Sequence, residues 1–105
     1  MKSRIIFGDE KLQKEYEKIK DDRLKDQIKK ALETLEVDTF SGIQIPKKLI
    51  PKEYSLRYGN LTNLWKYNLP GAWRLIYTIK GSEIEVLSVL LEWMDHKEYE
   101  RRFKY

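Results

Sequence analysis

The segment from Ile84 to Leu91 constrains the fold most, because nearly every residue in it is apolar. A run of this kind has no polar face, so it predicts a strand that is buried on both sides of a sheet. We expect this strand to end at Leu91 and to lie in the centre of the sheet. The rest of the chain must then supply its neighbouring strands and the helices that cover it.

Two segments before this run alternate in character and predict antiparallel strands, Leu64 to Leu69 and Ala72 to Lys80. The Pro70-Gly71 pair between them is typical of a type II turn. The Gly81-Ser82 pair predicts a two-residue hairpin, which would set Lys80 against Glu83. The three strands would form an antiparallel meander.

The pairing of the first two strands follows from their apolar faces. A three-residue loop places Tyr67 opposite Trp73 and Lys66 opposite Arg74, which keeps the large apolar side chains on one face. A two-residue loop would instead mix the two faces. The three-residue loop therefore groups Lys66, Asn68 and Arg74 on the other, exposed face of the sheet.

The first part of the chain predicts a short strand and two amphipathic helices. The strand is Lys2 to Phe7, and Asp9 is a good N-cap for the first helix. The second helix begins around Asp21 or Asp22 and ends near Glu36. The apolar residues of each helix lie on one face: Leu12, Tyr16 and Ile19 in the first, and Leu24, Ile28, Ala31, Leu32 and Leu35 in the second.

Beyond the apolar run, Asp95 and Glu98 fit an N-cap and its N3 partner, which predicts a short C-terminal helix with Tyr99 and Phe103 on one face. Segment 42–60 looks irregular, with one short strand. We expect a single domain over residues 1–105 with an α+β fold. In this fold a short N-terminal strand and a helical hairpin pack on a twisted, mainly antiparallel sheet, followed by a short C-terminal helix.

The net charge of +4 is unevenly distributed along the chain. Residues 1–41 are neutral overall, residues 42–82 contain seven basic residues and one acidic residue, and residues 83–105 carry a net charge of −2. Among the residues of the basic stretch 42–82 are Tyr54, Tyr58, Trp65, Tyr67 and Trp73, which favours a nucleic-acid partner because phosphates need cations and bases need flat rings. The alternative is that these aromatic residues belong to the core.

Several function classes are excluded by composition. The chain has no cysteine, which excludes disulfides, thiolate zinc sites and cysteine nucleophiles, and its one histidine excludes a histidine-rich metal site. No apolar stretch approaches the ~18 residues that a membrane span needs. We expect a soluble cytoplasmic protein with no metal, no cofactor and no membrane partner.

A set of side chains suited to phosphodiester chemistry remains. Lys66 and Arg74 share a sheet face, and a basic segment that begins at His96 follows the predicted central strand. A phosphodiester needs cations for its non-bridging oxygens and an acid and a base for proton transfer. The alternatives are that His96 caps a helix or lies on the surface, and that the loop lysines, such as Lys47, are simply solvated.

These residues and their order resemble the RelE/ParE superfamily of toxins. The most specific parts are the strand Trp73-Arg74-Leu75-Ile76-Tyr77 and the motif His96-Lys97-Glu98-Tyr99, after the strand Leu64-Trp65-Lys66-Tyr67-Asn68-Leu69. In the RelE branch, the resemblance implies a metal-independent ribonuclease that cleaves mRNA in the ribosomal A site by attack of a 2′-hydroxyl on the adjacent phosphate. In the ParE branch, it implies a non-catalytic inhibitor of DNA gyrase.

The resemblance also implies roles for single residues. Arg74 would steady the phosphate in the transition state, and Lys66 is the first basic residue of the preceding strand. His96 or Lys97 would transfer protons, with Glu92 as an alternative base, and Tyr99 would lie near the scissile nucleotide. The residues expected to bind RNA are Lys47, Lys48, Lys52, Arg57, Asn68, Lys97 and Arg101.

The resemblance therefore implies the toxin of a type II toxin-antitoxin system, with a cognate antitoxin, mRNA and the ribosome as partners. A non-catalytic module, of the ParE type or one that only binds a protein partner, is the alternative. It is supported by Asn68, which occupies a position that is often basic in the family, and by His96, which is displaced because residues Glu92 to Asp95 lengthen the segment before it. A third alternative is a stand-alone RNA-binding domain.

Overall fold

A computed structural model describes residues 1–59, 61–81 and 86–103 and confirms the α+β fold. The helices and strands follow in this order: β1 (Arg4–Phe7), α1 (Glu10–Glu17), α2 (Asp22–Val37), β2 (Ile43–Gln44), α3 (Lys52–Tyr58), β3 (Trp65–Asn68), β4 (Trp73–Gly81), β5 (Val86–Asp95) and α4 (His96–Phe103). Short 3-10 turns occupy Thr39–Ser41, Lys47–Leu49 and Pro70–Ala72. None of the helices in the described ranges is long and apolar enough to cross a membrane.

The five strands form one sheet in the order β1-β5-β4-β3-β2. Strand β1 is parallel to β5, whereas the other neighbours are antiparallel. Strand β5 thus has a partner along each edge, and its residues Val89, Leu90 and Leu91 are buried. This confirms the central strand that the apolar run predicts.

Helices α1 and α2 begin at the predicted N-caps. The Asp9 carboxylate accepts a hydrogen bond from the Leu12 N–H at 2.7 Å, and the Asp21 carboxylate accepts one from the Leu24 N–H at 3.1 Å. Their apolar faces pack on one side of the sheet, in a cluster that includes Leu12, Leu24, Ile28, Ala31, Leu69, Leu75 and Leu90.

Helices α3 and α4 cover the opposite side of the sheet. Tyr54 of α3 and Phe103 of α4 pack in a second cluster with Ile76 and Met94, and each of these four residues is at most 4% exposed. The prediction of an irregular segment 42–60 is therefore wrong for α3, although its short strand is confirmed as β2. The sheet face that carries Lys66 and Arg74, which was expected to be exposed, is largely covered by these two helices.

The pairing of β3 with β4 differs by two residues from the prediction. Arg74 pairs with Asn68 and not with Lys66, and Tyr67 pairs with Leu75 and not with Trp73. The reason is that the connection is the 3-10 turn Pro70–Ala72, across which the Leu69 N–H donates to the Trp73 carbonyl at 2.8 Å. A shift of two residues keeps every side chain on its face.

The second hairpin also differs from the prediction. Lys80 pairs with Leu87, and not with Glu83, and Gly81 pairs with Val86. A two-residue hairpin is therefore wrong, because its register would place the return strand four residues earlier. The predicted turn residue Ser82 and the residues up to Glu85 lie outside the described ranges.

Strand β5 extends to Asp95 and contains a β-bulge, so the predicted end at Leu91 is wrong. Ile76 of β4 pairs with Glu92 and Tyr77 pairs with Leu90, which leaves Leu91 as an extra residue. Because the strand runs through residues 92–95, the helix that starts at His96 follows the sheet directly.

Candidate active site

Arg74 lies near the start of β4, between Asn68 on β3 and Met94 on β5. Its Nη1 donates to the Trp73 carbonyl at 3.1 Å, and its Nη2 lies 3.3 Å from Nδ1 of His96. Its Nε is buried and has no hydrogen-bond partner among the described residues. The guanidinium thus has one edge fixed to the sheet and a second edge directed at the histidine.

His96 is the first residue of α4, and its side chain is 48% exposed. Its Nε2 lies 2.8 Å from a carboxylate oxygen of Glu100, one helical turn later. Because guanidinium is only a donor and carboxylate only an acceptor, both contacts are satisfied together when Nδ1 accepts from Arg74 and Nε2 donates to Glu100. The geometry therefore assigns the Nε2–H tautomer of a neutral imidazole.

The aromatic ring of Tyr99 supports two cations. The ring is 2% exposed, and Nζ of Lys66 lies 4.8 Å and Cζ of Arg74 lies 5.9 Å from its centroid. Cation–π attraction of this kind is worth about 0.5–2 kcal/mol per contact. Tyr99 therefore holds Lys66 and Arg74 next to each other, and we call Lys66, Arg74, His96 and Tyr99 the basic cluster.

Except for Arg57, the other candidate RNA-binding residues lie around this cluster or near the far end of α4. Asn68 is the β3 neighbour of Arg74, and Lys97 is exposed in the first turn of α4. Lys48 and Lys52 line a groove with Arg101, close to the end of α4. Lys47 is exposed beside them, in the same 3-10 turn as Lys48. Arg57 lies elsewhere, on α3, with Nη1 3.5 Å from Glu92 and its guanidinium over the Tyr58 ring.

Glu92, the alternative base, is held in an ion-pair network. Its two carboxylate oxygens accept hydrogen bonds from Nη1 of Arg102 at 2.7 and 2.8 Å, and one of them accepts a hydrogen bond from the Tyr54 hydroxyl at 2.5 Å. Burial and the hydrogen bond with Glu92 raise the pKa of Tyr54. Burial opposes the charge of Arg102, but hydrogen bonds with Glu92 and Glu98 outweigh burial and raise its pKa. Glu92 thus fastens α3 and α4 to β5.

The sequence reasoning missed two of these partners. Glu100, which contacts His96, is four residues after it and could have been found from helical spacing. Tyr54, which contacts Glu92, is separated from it by 38 residues and depends on a helix that was not predicted. In the described ranges, no group of three or more His, Asp or Glu side chains is arranged to hold a metal ion.

The fold and the basic cluster define a small α+β protein with a cationic centre at the junction of its sheet and its last helix. The family model described as the ParE toxin of the type II toxin-antitoxin system, parDE, matches residues 9–95, and the chain belongs to this family. This confirms the resemblance to the RelE/ParE superfamily. The protein is therefore the toxin of a type II toxin-antitoxin system, and its family implies a cognate antitoxin. Comparisons with curated proteins and with solved structures gave no match.

Proposed function

We propose that this toxin is a metal-independent endoribonuclease that cleaves mRNA by attack of a 2′-hydroxyl on the adjacent phosphate. The observation that carries the proposal is the contact between Arg74 and His96 beside the cation-bearing ring of Tyr99. It places an imidazole, whose acceptor nitrogen contacts Arg74, beside two positive charges at one site.

The two cations match the charge that develops during phosphodiester cleavage. Attack on phosphorus adds negative charge to the non-bridging oxygens, and preorganised donors stabilise this charge without reorganising in the transition state. Lys66 and Arg74 are preorganised because both lie against the ring of Tyr99. Tyr99 is 2% exposed, so its proposed role is to position the cations.

His96 is the proposed base. When Arg74 turns its Nη2 toward a phosphate, Nδ1 of His96 is released and accepts the proton of the 2′-hydroxyl. The O2′–P bond forms and the P–O5′ bond breaks, and the leaving 5′ oxygen takes a proton from Lys97 or from water. The products are a 2′,3′-cyclic phosphate and a 5′-hydroxyl. Glu100 stabilises the imidazolium that forms, through its hydrogen bond with Nε2.

The test uses purified toxin and an mRNA substrate, with and without ribosomes, because the family resemblance extends the proposal to mRNA in the ribosomal A site. We expect the wild type to cleave, Arg74→Ala to be about 10²–10³-fold slower, and His96→Ala to be about 10²–10⁴-fold slower. Lys80→Ala is the matched control, because Lys80 is an exposed cation on the same strand as Arg74. Absence of cleavage by the wild type in both conditions, or equal losses for Arg74→Ala and Lys80→Ala, would contradict the proposal.

The second candidate function is inhibition of DNA gyrase without catalysis. It is favoured by the family description, which names the ParE toxin, and by Asn68, which occupies a position that is often basic in ribonuclease members. A supercoiling assay with purified gyrase separates the two. Inhibition of supercoiling by a toxin that leaves mRNA intact would establish this second function.

A further inference from the structure

We propose that a groove between α3 and the end of α4 binds an acidic, amphipathic segment of the antitoxin. The groove has a volume of about 620 Å³. Its lining includes three exposed cations, Lys48, Lys52 and Arg101, and three half-buried apolar residues, Leu49, Ile50 and Pro51. The inference does not rest on ribonuclease activity, because an antitoxin partner follows from the toxin family alone.

The groove is lined by four cations, Lys48, Lys52, Arg101 and Arg102, and by one carboxylate, Glu53, so its net positive charge favours an anionic partner. No carboxylate of the described residues pairs with Lys48 or Lys52, whereas Arg101 is hydrogen-bonded to Glu98 through its Nε at 3.1 Å. Two exposed lysines four residues apart thus border one apolar surface. Carboxylates from a partner would complement them, and interfaces use such complementarity for orientation and for the rate of association.

The apolar part of the surface extends beyond the groove along α3. Leu56 is 87% exposed and follows Lys52 by one helical turn, so the two side chains lie on the same face of the helix. A single exposed leucine is common on protein surfaces. Here it lies one helical turn beyond Lys52 of the groove, so cationic and apolar side chains share one surface, which an amphipathic peptide with an acidic and an apolar face would fit.

The same observations disfavour a nucleic acid as the occupant. Single-stranded RNA is bound by cations together with open aromatic faces on which bases stack. Among the lining residues that the structure describes, the aromatic side chain is that of Phe103, which is 1% exposed and offers no such face. The RNA-binding role that the sequence predicts for Lys48 and Lys52 is therefore the alternative outcome of the test.

The groove shares no lining residue with the basic cluster, although Phe103 of the groove stacks on Tyr99 with 4.6 Å between the ring centroids. His96 is at the start of α4 and Arg101 is near its end, so about 7 Å of helix axis separates them. A change in the groove can therefore alter antitoxin affinity without changing the groups proposed for catalysis.

The test measures the dissociation constant of the toxin with the antitoxin encoded in the same operon, by calorimetry. We expect Leu56→Ser to weaken binding about three- to tenfold, and the double variant Lys48→Glu/Lys52→Glu to weaken it about tenfold or more. The matched control is Lys14→Glu/Lys18→Glu, which reverses two exposed charges with the same spacing near the end of α1 and should change binding less than about twofold. Circular dichroism verifies that each variant is folded.

Two further readouts make the result decisive. Amide hydrogen exchange should slow in residues 48–57 when the antitoxin binds. Leu56→Ser should keep the toxicity of the free toxin, while the antitoxin should neutralise this variant less well.

Unchanged antitoxin affinity for both groove variants would overturn the proposal. If Lys48→Glu/Lys52→Glu loses binding of a 12-nucleotide oligouridine but keeps antitoxin affinity, the groove binds RNA instead. A toxin that fails to cleave mRNA would leave this inference standing.

Discussion

Replacing Tyr54 by phenylalanine tests the network that fastens α3 and α4 to the sheet. Tyr54 is 2% exposed, and its hydroxyl donates to the Glu92 carboxylate at 2.5 Å. A hydrogen bond to a charged group contributes about 1.5–3 kcal/mol. We therefore expect Tyr54→Phe to lower the free energy of unfolding by about 2 kcal/mol at pH 8, which corresponds to about 10 °C in Tm.

The same substitution has a second, pH-dependent consequence. Burial and Glu92 raise the pKa of Tyr54 in the folded state, whereas the unfolded phenol ionises near pH 10. A raised pKa contributes stability that is present below pH 10 and is lost as the pH rises further. At pH 11 the wild type should have lost about 1.4 kcal/mol through this group alone, whereas the phenylalanine variant has no phenol to ionise. The free energies of unfolding of the wild type and Tyr54→Phe differ by about 2 kcal/mol at pH 8 and should therefore differ by only about 0.6 kcal/mol at pH 11.

The assay is urea unfolding followed by far-ultraviolet circular dichroism at pH 8 and pH 11. Tyr58→Phe is the matched control, because the Tyr58 hydroxyl donates at 3.2 Å to the Leu91 carbonyl, which is a neutral acceptor. Tyr58→Phe should lower the free energy of unfolding by about 0.5–1 kcal/mol at pH 8. Burial, followed by the charge of Glu92, raises the pKa of Tyr58 to about 12, so the smaller difference between the Tyr58→Phe variant and the wild type should vanish or change sign at pH 11. A Tyr54→Phe difference that is the same at both pH values would refute the reasoning.

Three more substitutions test other parts of the fold. Ala72 has φ of 64°, and Ala72→Gly should raise the free energy of unfolding in urea by about 1 kcal/mol because the left-handed region penalises a Cβ. In Gly42→Ala, the new Cβ would lie 2.5 Å from the Tyr77 hydroxyl and 2.6 Å from the Lys66 carbonyl, and Tm should fall by about 10 °C, equivalent to about 2 kcal/mol. Hydrogen bonds from Arg101 and then Arg102 lower the pKa of Glu98 to about 2 from its ordinary 4.5. The resulting stabilisation is present above pH 4.5 and is lost as the pH falls toward 2, so Glu98→Gln should reduce the change in helical circular dichroism across that range.

The elements that the sequence predicts well are those with local signals. Asp9 and Asp21 begin α1 and α2 because short polar side chains accept from the backbone N–H groups of the first turn. Asp95 acts in the same way on α4, accepting from the Glu98 N–H at 2.9 Å. These signals need only three or four neighbouring residues, so they can be recognised without the fold.

The errors arise where distant residues decide the outcome. The alternation of polar and apolar residues determines which face of the sheet each side chain occupies, but it does not determine which residues pair. Pairing of Arg74 with Asn68 or with Lys66, two residues away, puts every side chain on the same face, so the sequence cannot distinguish them. Helix α3 begins after Pro51 without a side-chain cap and has one buried residue, Tyr54, so its local signal is weak. The predicted strand stops at Leu91, before the charged Glu92, whereas in the structure Arg102 on another element compensates that charge and the strand continues.

In the candidate site, too, the features set by neighbouring residues are predictable and those set by distant residues are not. The sequence places Lys66 and Arg74 on one face, since this follows from the alternation of two strands. The contact of Arg74 with His96 depends on how far β5 extends, which the sequence did not predict. The residues that bind RNA stay a prediction.

The bulge at Leu91 divides β5 into two halves whose side chains alternate in opposite phase. Val89 and Leu91, with odd numbers, pack toward α3 and α4, whereas beyond the bulge Met94, with an even number, packs on that side. One residue inserted or deleted between the halves would reverse the facing of one half and leave the other unchanged. The number of residues between the apolar run and His96 therefore depends on the bulge, and a related chain without it would need a different number to bring a histidine beside its arginine.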